Sequence, residues 1–427
     1  MSMYRALSGS PLIPWRVRQG MERWLESTCR DRRPGLYRWL HLGQSRDRLR
    51  AVTSGPKHHF FGYYDKSPWN ASGNFLLAHA ATFNNRPPTA DDSVTVGVVR
   101  LQDDNRFQPL GISHAWNWQQ GSMLQWHPGR PEELIVHNDR RSGQFVGVVR
   151  DTEGREVNVY DRPIYAMSPD GRAAFSVNFA RLYTHRPGYG YAGGIDPWAD
   201  DPQPADDGIH RIDLESGCSE LIVSIRQLAQ IDTSGTPSGV FQWINHVQVS
   251  PQGGRIAFFH ISREGQAGWR ARLFACRSDG TDPTCLLDAD VVSHYDWLDE
   301  RNILIWARET GQPGHFWHIN VADQTRKIVG DGLLVEDGHV SFAPDRRWVL
   351  NDTYPDQHDM RTLMIFRWPD AKRIDLARLY SPKSKWWGEI RCDLHPRWSR
   401  DGRQVCIDSV HTGERQMYVM DVGEVVL

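Results

Sequence analysis

Four histidines in this 427-residue chain occupy one position relative to a recurring turn. Each stands four residues before a Ser-Pro-Asp-Gly turn or a degenerate copy of it: they are His246, His294, His339 and His395. Imidazole is the commonest protein ligand for divalent metal ions. Asp393, two residues before His395, falls on the same face of an extended strand and adds a carboxylate. The pattern predicts a divalent metal site with these five ligands; the alternative is four independent histidines that line a wet channel.

The turns belong to a repeat that runs through residues 51–427. A short apolar run, the turn and a second apolar run recur seven times, about every 40–60 residues. The seven turns begin at Ser67, His127, Ser168, Ser250, Leu298, Ala343 and Ser399. Pro and Asp favour such turns and Gly supplies the positive φ angle. We therefore predict an all-β fold, a seven-bladed β-propeller, in which equivalent positions of successive blades lie at one height around a central channel.

The repeat also carries a resemblance to known families. Its turns resemble those of TolB-like propellers over roughly residues 55–425. The last repeat is similar to that of oligogalacturonate lyases, seven-bladed propellers that hold a manganese-like ion with late-blade histidines. Their His-x-His-Pro run corresponds here to Asp393 through Pro396, so one histidine is matched and the other is aspartate. The runs HHFFGYYDKSPW and NFARLYTHRPGYGY resemble the wider set of propeller lyases, ulvan lyases among them.

This resemblance implies β-elimination on a uronate-containing acidic oligo- or polysaccharide, with manganese or zinc as cofactor. Such a reaction needs a group that neutralises the carboxylate, a base and an acid. His59 and Tyr63 would share one face of the first strand, and Tyr63 occupies the histidine register. Tyr165 and Arg181 flank the third turn, where Arg181 could clamp a carboxylate. We expect these four to be catalytic; the alternatives are aromatic packing in the first strand and anchoring of the following loop at the third turn.

Five further residues are expected to bind the sugar chain. His114 and Trp116 alternate in the run SHAWNWQQG, and indole faces stack on pyranose rings. Arg140 closes a strand of the second repeat, in reach of an acidic glycan. Arg186 and Tyr189 begin a Gly/Pro-rich insertion between the third and fourth repeats, and long loops of this kind often carry function. The alternatives are blade packing and loop anchoring.

The sequence is also compatible with two other functions. A propeller can bind glycans or proteins without catalysis. A glycoside hydrolase would need two opposed carboxylates, and the chain offers Asp65, Asp296, Asp352 and Asp393 without a spacing that singles out a pair.

Composition excludes several classes. A net charge of −2 gives no basic field for nucleic acid, and no nucleotide-binding, nucleophile-elbow or HExxH motif occurs. The six cysteines form no CxxC pair, which indicates free thiols in a reducing compartment. The first twenty residues lack the apolar core of a secretion signal, so we expect a cytoplasmic protein.

Residues 1–50 differ from the rest of the chain. They carry eleven Arg, no Lys and four acidic residues, a net charge of +7. Val17, Met21, Trp24 and Leu25 fall on one helical face. We predict a basic helical N-terminal arm that either docks on the propeller or makes peripheral contact with the anionic inner membrane.

Overall fold

A computed structural model describes residues 49–231, 239–263, 269–369 and 372–426. Residues 1–48 of the predicted helical arm lie outside the described residues, so the arm and its membrane contact stay predictions. None of the described helices is long and apolar enough to cross a bilayer.

The described strands form seven four-stranded sheets, each one blade. Blade 1 contains β2 (His58–Phe60), β3 (Phe75–Ala81), β4 (Val94–Arg100) and β5 (Arg106–Ser113). Blade 2 contains β6 (Gln125–Trp126), β7 (Leu134–Arg141), β8 (Gln144–Asp151) and β9 (Glu156–Tyr160). Blade 3 contains β10 (Ala166–Met167), β11 (Ala173–Ser176), β12 (Gly208–Asp213) and β13 (Ser219–Ser224). Blade 4 contains β14 (Phe241–Val249), β15 (Arg255–Arg263), β16 (Trp269–Arg277) and β17 (Thr284–Asp288). Blade 5 contains β18 (Val291–Trp297), β19 (Asn302–Arg308), β20 (Gly314–Asn320) and β21 (Arg326–Val329). Blade 6 contains β22 (Ser341–Phe342), β23 (Trp348–Asp352), β24 (Met360–Arg367) and β25 (Lys372–Tyr380). Blade 7 contains β26 (Arg397–Trp398), β27 (Gln404–Ser409), β28 (Gln416–Asp421) and, from the start of the chain, β1 (Leu49–Ala51).

The pairing of β1 with β28 closes the circle. Leu49 lies opposite Met420 and Ala51 opposite Tyr418, so one sheet joins both ends of the described chain. All strand pairs within the blades are antiparallel, as the strand–turn–strand repeat requires. The prediction of an all-β, seven-bladed propeller is confirmed.

The Ser-Pro-Asp-Gly turns form because their side chains satisfy local backbone groups. The hydroxyl of Ser168 accepts a hydrogen bond from the amide of Ala173 at 2.9 Å and donates one to Asp170. Gly171 supplies a φ of 70°, which favours glycine over residues with a Cβ atom. These turns join the first and second strands of their blades, and all therefore lie at one end of the propeller, the turn face.

The insertion of blade 3 lies at the opposite end, between β11 and β12. It begins with α1 (Phe179–His185), which Asn178 caps by accepting a hydrogen bond from the amide of Arg181. The remaining described helices are α2 (Ile225–Gln230), α3 (Gly423–Val426) and the 3₁₀ helix Gly388–Ile390.

Candidate metal centre

The four register histidines and Tyr63 converge in the central channel. The ring centroids of His294 and His339 are 4.0 Å apart, and those of His339 and His395 are 4.3 Å apart. Tyr63 lies between the ends of this arc, 5.1 Å from both His246 and His395. The Tyr63 hydroxyl forms a short hydrogen bond with Nε2 of His246. None of the five side chains is more than 3% exposed, so the cluster is screened from solvent.

Backbone irregularities at the histidines accompany this convergence. The pairing register shifts between Asn245 and Gln248 in β14, and between Val292 and Tyr295 in β18, so His246 and His294 each lie in a bulge. His246 has a positive φ of 56°. A positive φ is unfavourable for a residue with a Cβ atom and is found where the surrounding structure enforces it.

Blade 7 fixes Tyr63 through a buried ion pair. Arg397 and Asp408 pair at 2.8 Å. The guanidinium of Arg397 donates to the carbonyl of Tyr63 at 3.2 Å and to that of Gly62. Asp408 accepts from the amide of Phe61 at 3.1 Å. The blade that contains His395 therefore also holds the backbone of Tyr63.

Two carboxylates orient the central histidines. Oδ1 of Asp352 lies 2.8 Å from Nδ1 of His339, and Oδ1 of Asp337 lies 3.1 Å from Nδ1 of His294. Although burial raises the pKa of Asp352, its contacts with His339 outweigh burial and lower that pKa. Histidines that bind metal commonly donate their second ring nitrogen to a carboxylate in this way.

Asp393 is tied to two arginines. Its Oδ2 lies 2.7 Å from Nε of Arg391, and its Oδ1 lies 2.6 Å from a terminal nitrogen of Arg361. Burial raises the pKa of Asp393, but these two positive charges outweigh it and hold the pKa well below its usual range. Asp393 is therefore an ionised carboxylate beside His395, whose Nε2 is 3.9 Å away.

The donor set fits a divalent ion. One ligand atom each of His339, Asp393 and His395 lies within 4.8 Å of the others. Nε2 of His339 and of His395 are buried and have no hydrogen-bond partner within the described chain. Burial lowers the pKa of His246, His294 and His395, so these imidazoles are neutral near pH 7 and keep a lone pair for a metal.

The other predicted catalytic residues are held in internal contacts. Nδ1 of His59 lies 3.1 Å from Gln416, and its ring packs against Phe107. Strand β2 ends at Phe60, and so the alternation that was expected to align His59 with Tyr63 does not extend to Tyr63.

Tyr165 and Arg181 anchor neighbouring segments. The Tyr165 hydroxyl accepts from the amide of His246 and donates to Asn245, both at 3.0 Å. The buried guanidinium of Arg181 donates to the carbonyl of Gln242 at 2.7 Å, to three carbonyls of the blade 3 insertion, and to Asp196. Its donors are thus already engaged within the protein.

Three predicted sugar contacts lie in blades 1 and 2. Trp116 is 2% exposed and donates to the carbonyl of Asp92 at 3.3 Å. Arg140 donates to the carbonyl of Gly193 at 3.1 Å and thereby holds the insertion. His114 is partly exposed, with Nδ1 3.6 Å from Asp139. No contact joins any of the three to the register histidines in the described part of the chain.

Arg186 and Tyr189, by contrast, border the candidate metal centre. The Tyr189 ring lies 5.5 Å from that of His246, and its hydroxyl accepts from Arg391 at 2.8 Å. The guanidinium of Arg186 lies 4.0 Å from the Tyr189 ring centroid. Its positive charge also contributes, after burial, to the lowered pKa of His246.

Sequence reasoning missed Asp337, Arg361 and Tyr354. The Tyr354 ring lies 5.9 Å from that of His339 and 6.4 Å from that of His294. All three residues stand outside the turn register, so no repeat signal marked them.

A surface cavity of about 770 Å³ lies elsewhere, at the turn face between blades 7 and 1. Its lining includes Trp69, Arg400, Asp401 and Glu424, and none of the register histidines. It is therefore separate from the metal centre.

Fold and site together define a seven-bladed propeller with a candidate metal centre in its channel. No protein-family model and no curated protein matches the chain by sequence. Among solved structures, the chain is similar to an oligogalacturonate lyase in complex with manganese, with a TM-score of 0.65 and 15% identity over 88% of this chain and 94% of that chain. It is also similar to an oligogalacturonate lyase from Vibrio parahaemolyticus, with a TM-score of 0.62 and 13% identity over 88% and 93% of the two chains.

A TolB protein from Acinetobacter baumannii matches with a TM-score of 0.41 and 13% identity, over 83% of this chain and 79% of that chain. At the identities of the two lyases the similarity establishes the fold. The resemblance to oligogalacturonate lyase propellers inferred from the repeats is confirmed at that level.

Proposed function

We infer that this protein is a polysaccharide lyase that cleaves a uronate-containing acidic oligo- or polysaccharide by β-elimination, with a divalent ion in the channel. The observation that carries the proposal is the juxtaposition of the His339, Asp393 and His395 ligand atoms with the hydrogen-bonded Tyr63–His246 pair. The manganese in the structurally similar lyase supports the ion, and that protein's oligogalacturonate specificity supports the substrate class.

The chain's own residues would hold the ion as follows. His339 and His395 offer buried nitrogens without hydrogen bonds, and Asp393 offers an ionised carboxylate. His294 lies beside His339 and is oriented by Asp337, so it is a fourth candidate ligand. When bound, a manganese or zinc ion supplies a positive charge that neutralises the substrate carboxylate and makes the C5 proton more acidic.

Tyr63 and His246 are the proposed proton-transfer pair. Burial raises the pKa of Tyr63 and lowers the pKa of His246, so a neutral phenol contacts a neutral imidazole. As the phenol oxygen takes the C5 proton, its own proton moves to Nε2 of His246. The C5–H electron pair forms the C4–C5 double bond, the C4–O bond breaks, and the leaving oxygen regains a proton from the imidazolium.

Arg186 and Tyr189 are the proposed contacts to the sugar chain. The hydrogen bond between Tyr189 and Arg391 borders the cluster, so an entering uronate would have to displace or share it. His59, Tyr165, Arg181, His114, Trp116 and Arg140 are not carried into the proposed site, because their contacts lie within the scaffold.

The test is incubation with a panel of uronate oligomers and polymers in the presence of manganese, with product read by the ultraviolet absorbance of the new double bond and by mass. We expect unsaturated product that chelator removes and restored metal returns. Saturated products would instead indicate hydrolysis, and metal-loaded protein that forms no product would indicate a binding propeller.

Three of the four candidate hydrolase carboxylates are in ion pairs. Asp352 pairs with His339, Asp393 with Arg361 and Arg391, and Asp65 with Lys66 at 2.7 Å. No opposed pair of free carboxylates stands out within the described residues, so hydrolysis is not proposed.

A further inference from the structure

Arg186 differs from the neighbouring arginines Arg361, Arg391 and Arg397 because its guanidinium has no anionic partner among the described residues. Within the described residues it makes no hydrogen bond or ion pair. Arg391, in contrast, uses all three of its nitrogens, on Asp393, Gly388 and Tyr189. A guanidinium presents a planar fork that matches a carboxylate, so an unpaired one next to a candidate catalytic centre is a ready anion site.

Two aromatic rings hold that guanidinium in place. It lies 4.0 Å from the ring centroid of Tyr189 and 4.6 Å from that of Trp269. Stacking against rings fixes the orientation of the guanidinium while leaving its N–H groups free to bind an anion. Arg186 is therefore oriented before any ligand arrives.

Trp269 is one of the few large apolar side chains exposed among the described residues, at 45%. It lies at the end of blade 4 where β14 begins, because Trp269 pairs with Arg263 and Arg263 pairs with Phe241. This end is opposite the turn face and is the end on which the blade 3 insertion lies. An indole that is half exposed beside a free guanidinium offers an apolar face for the ring of a sugar.

A second arginine–tryptophan pair, in blade 5, shows an ordinary surface contact of this kind. Arg326 lies 5.2 Å from the ring centroid of Trp317 in blade 5, and it is also paired with Glu309 at 3.0 Å. The blade 5 arginine thus has an anion from the protein itself, whereas Arg186 has none in the part of the chain that the structure describes.

We propose that Arg186 and Trp269 form a second uronate subsite beside the metal centre. Arg186 binds the carboxylate of the sugar that neighbours the reacting one on the side away from the bond that breaks, and the exposed face of Trp269 packs against that sugar's ring. The subsite rests on the proposed function for its position relative to the cleaved bond. It predicts a preference for oligomers that reach both places and carry a free carboxylate at the second.

Binding of di- and tetragalacturonate is measured by titration calorimetry in the presence of chelator, which stops turnover under the proposed function. We expect Arg186→Ala to weaken tetramer binding about ten- to a hundredfold, and Trp269→Ala about three- to tenfold. Trp269→Phe should keep most of the affinity. The matched control, Arg326→Ala, should bind as the wild type does, and circular dichroism checks folding of every variant.

Methyl-esterified tetramer separates charge recognition from general contact. The wild type should bind it about as weakly as Arg186→Ala binds the free acid. An Arg186→Ala variant that loses no more affinity than Arg326→Ala, or an esterified tetramer that binds as tightly as the acid, would overturn the subsite. A wild-type protein that binds neither the dimer nor the tetramer would also overturn the subsite.

The two proposals fail separately. Acid oligomers that bind through Arg186 without any unsaturated product would leave the subsite standing and remove the lyase. Unsaturated product formed with an unchanged KM in both variants would support the lyase and remove the subsite. Where turnover is present, we expect the variants to raise KM for the tetramer more than for the dimer, with little change in kcat.

Discussion

The same channel position carries different chemistry in the two halves of the propeller. Blades 4 to 7 place histidines there, whereas blades 2 and 3 place Met123 and Ile164, which are buried to the same degree. Met123 has a positive φ of 53°, close to the 56° of His246, so this feature occurs in both halves. The fold therefore brings both sets of residues to the channel, and the side chains at and behind these positions make one side a candidate metal centre.

The polar groups behind the channel residues also differ between the two halves. Carboxylates stand behind the histidines, as Asp352 does behind His339. Behind Ile164 stands the amide of Asn138, which donates to the Ile164 carbonyl at 2.9 Å and accepts from its amide at 2.7 Å. An uncharged amide holds the backbone without presenting a charge to the channel. In both halves polar groups hold the residues that line the channel. In the histidine half these groups include carboxylates, whose negative charge favours a cation, whereas Asn138 is uncharged.

The test with the largest expected effect replaces the register residue on each side. His339→Ala should lower manganese affinity by at least about a hundredfold and abolish unsaturated product, because it removes a central nitrogen of the donor set. Met123→Leu, at the same register in the apolar half, should keep the wild-type metal content. Elemental analysis of both purified variants is the measurement, and equal metal content in them would contradict the asymmetry.

A smaller effect is expected from the carboxylate that orients the ring. Asp352→Asn should lower manganese affinity about ten- to a hundredfold, because the amide holds the His339 imidazole less firmly and without charge. Asp296→Asn is the matched control, since Asp296 is buried in the same half but accepts from the amides of Phe342 and Trp297. If metal titrations gave the same affinity for the two variants, Asp352 would have no special role behind the ring.

The smallest expected effect is on the free energy of unfolding rather than on metal affinity. Burial raises the pKa of Asp296 to about 6. An acid whose folded pKa is raised stabilises the fold at low pH, and that stability is lost as pH rises from the unfolded value of 3.8 through 6. Relative to the wild type, Asp296→Asn should therefore gain free energy of unfolding between pH 4 and 7, by up to about 3 kcal/mol.

Denaturant unfolding at several pH values measures this difference. A difference that stays constant with pH would show that Asp296 is ionised throughout. Asp352, whose pKa is lowered by its contacts with His339 against the effect of burial, should behave in the opposite sense: its stabilising contribution is lost as pH falls.

Much of the fold was predictable because turn chemistry is local. The copies that begin at Ser168, Ser250 and Ser399 carry the same hydrogen bond from the next strand to the serine hydroxyl, and seven copies of the turn pattern predict seven blades. The register histidines follow from the same alignment. Asp337 and Tyr354 could not be found this way, because they reach the ring from loops outside the repeat. Arg181 could not be told from a ligand-binding arginine, because its carbonyl partners come from a folded loop that no local pattern specifies.

By itself the sequence determined the blade count and placed four imidazoles at one register, because both depend on contacts between residues close in the chain. The tertiary structure decided which polar residues face the channel and which are held in internal hydrogen bonds, because their partners lie up to hundreds of residues away in the chain. It alone brought Tyr63 to His246 and placed the guanidinium of Arg186 beside Trp269, where no described residue gives it an anion. Circular closure is the physical reason: it joins residues that are distant along the chain, and so decides which buried charges find partners.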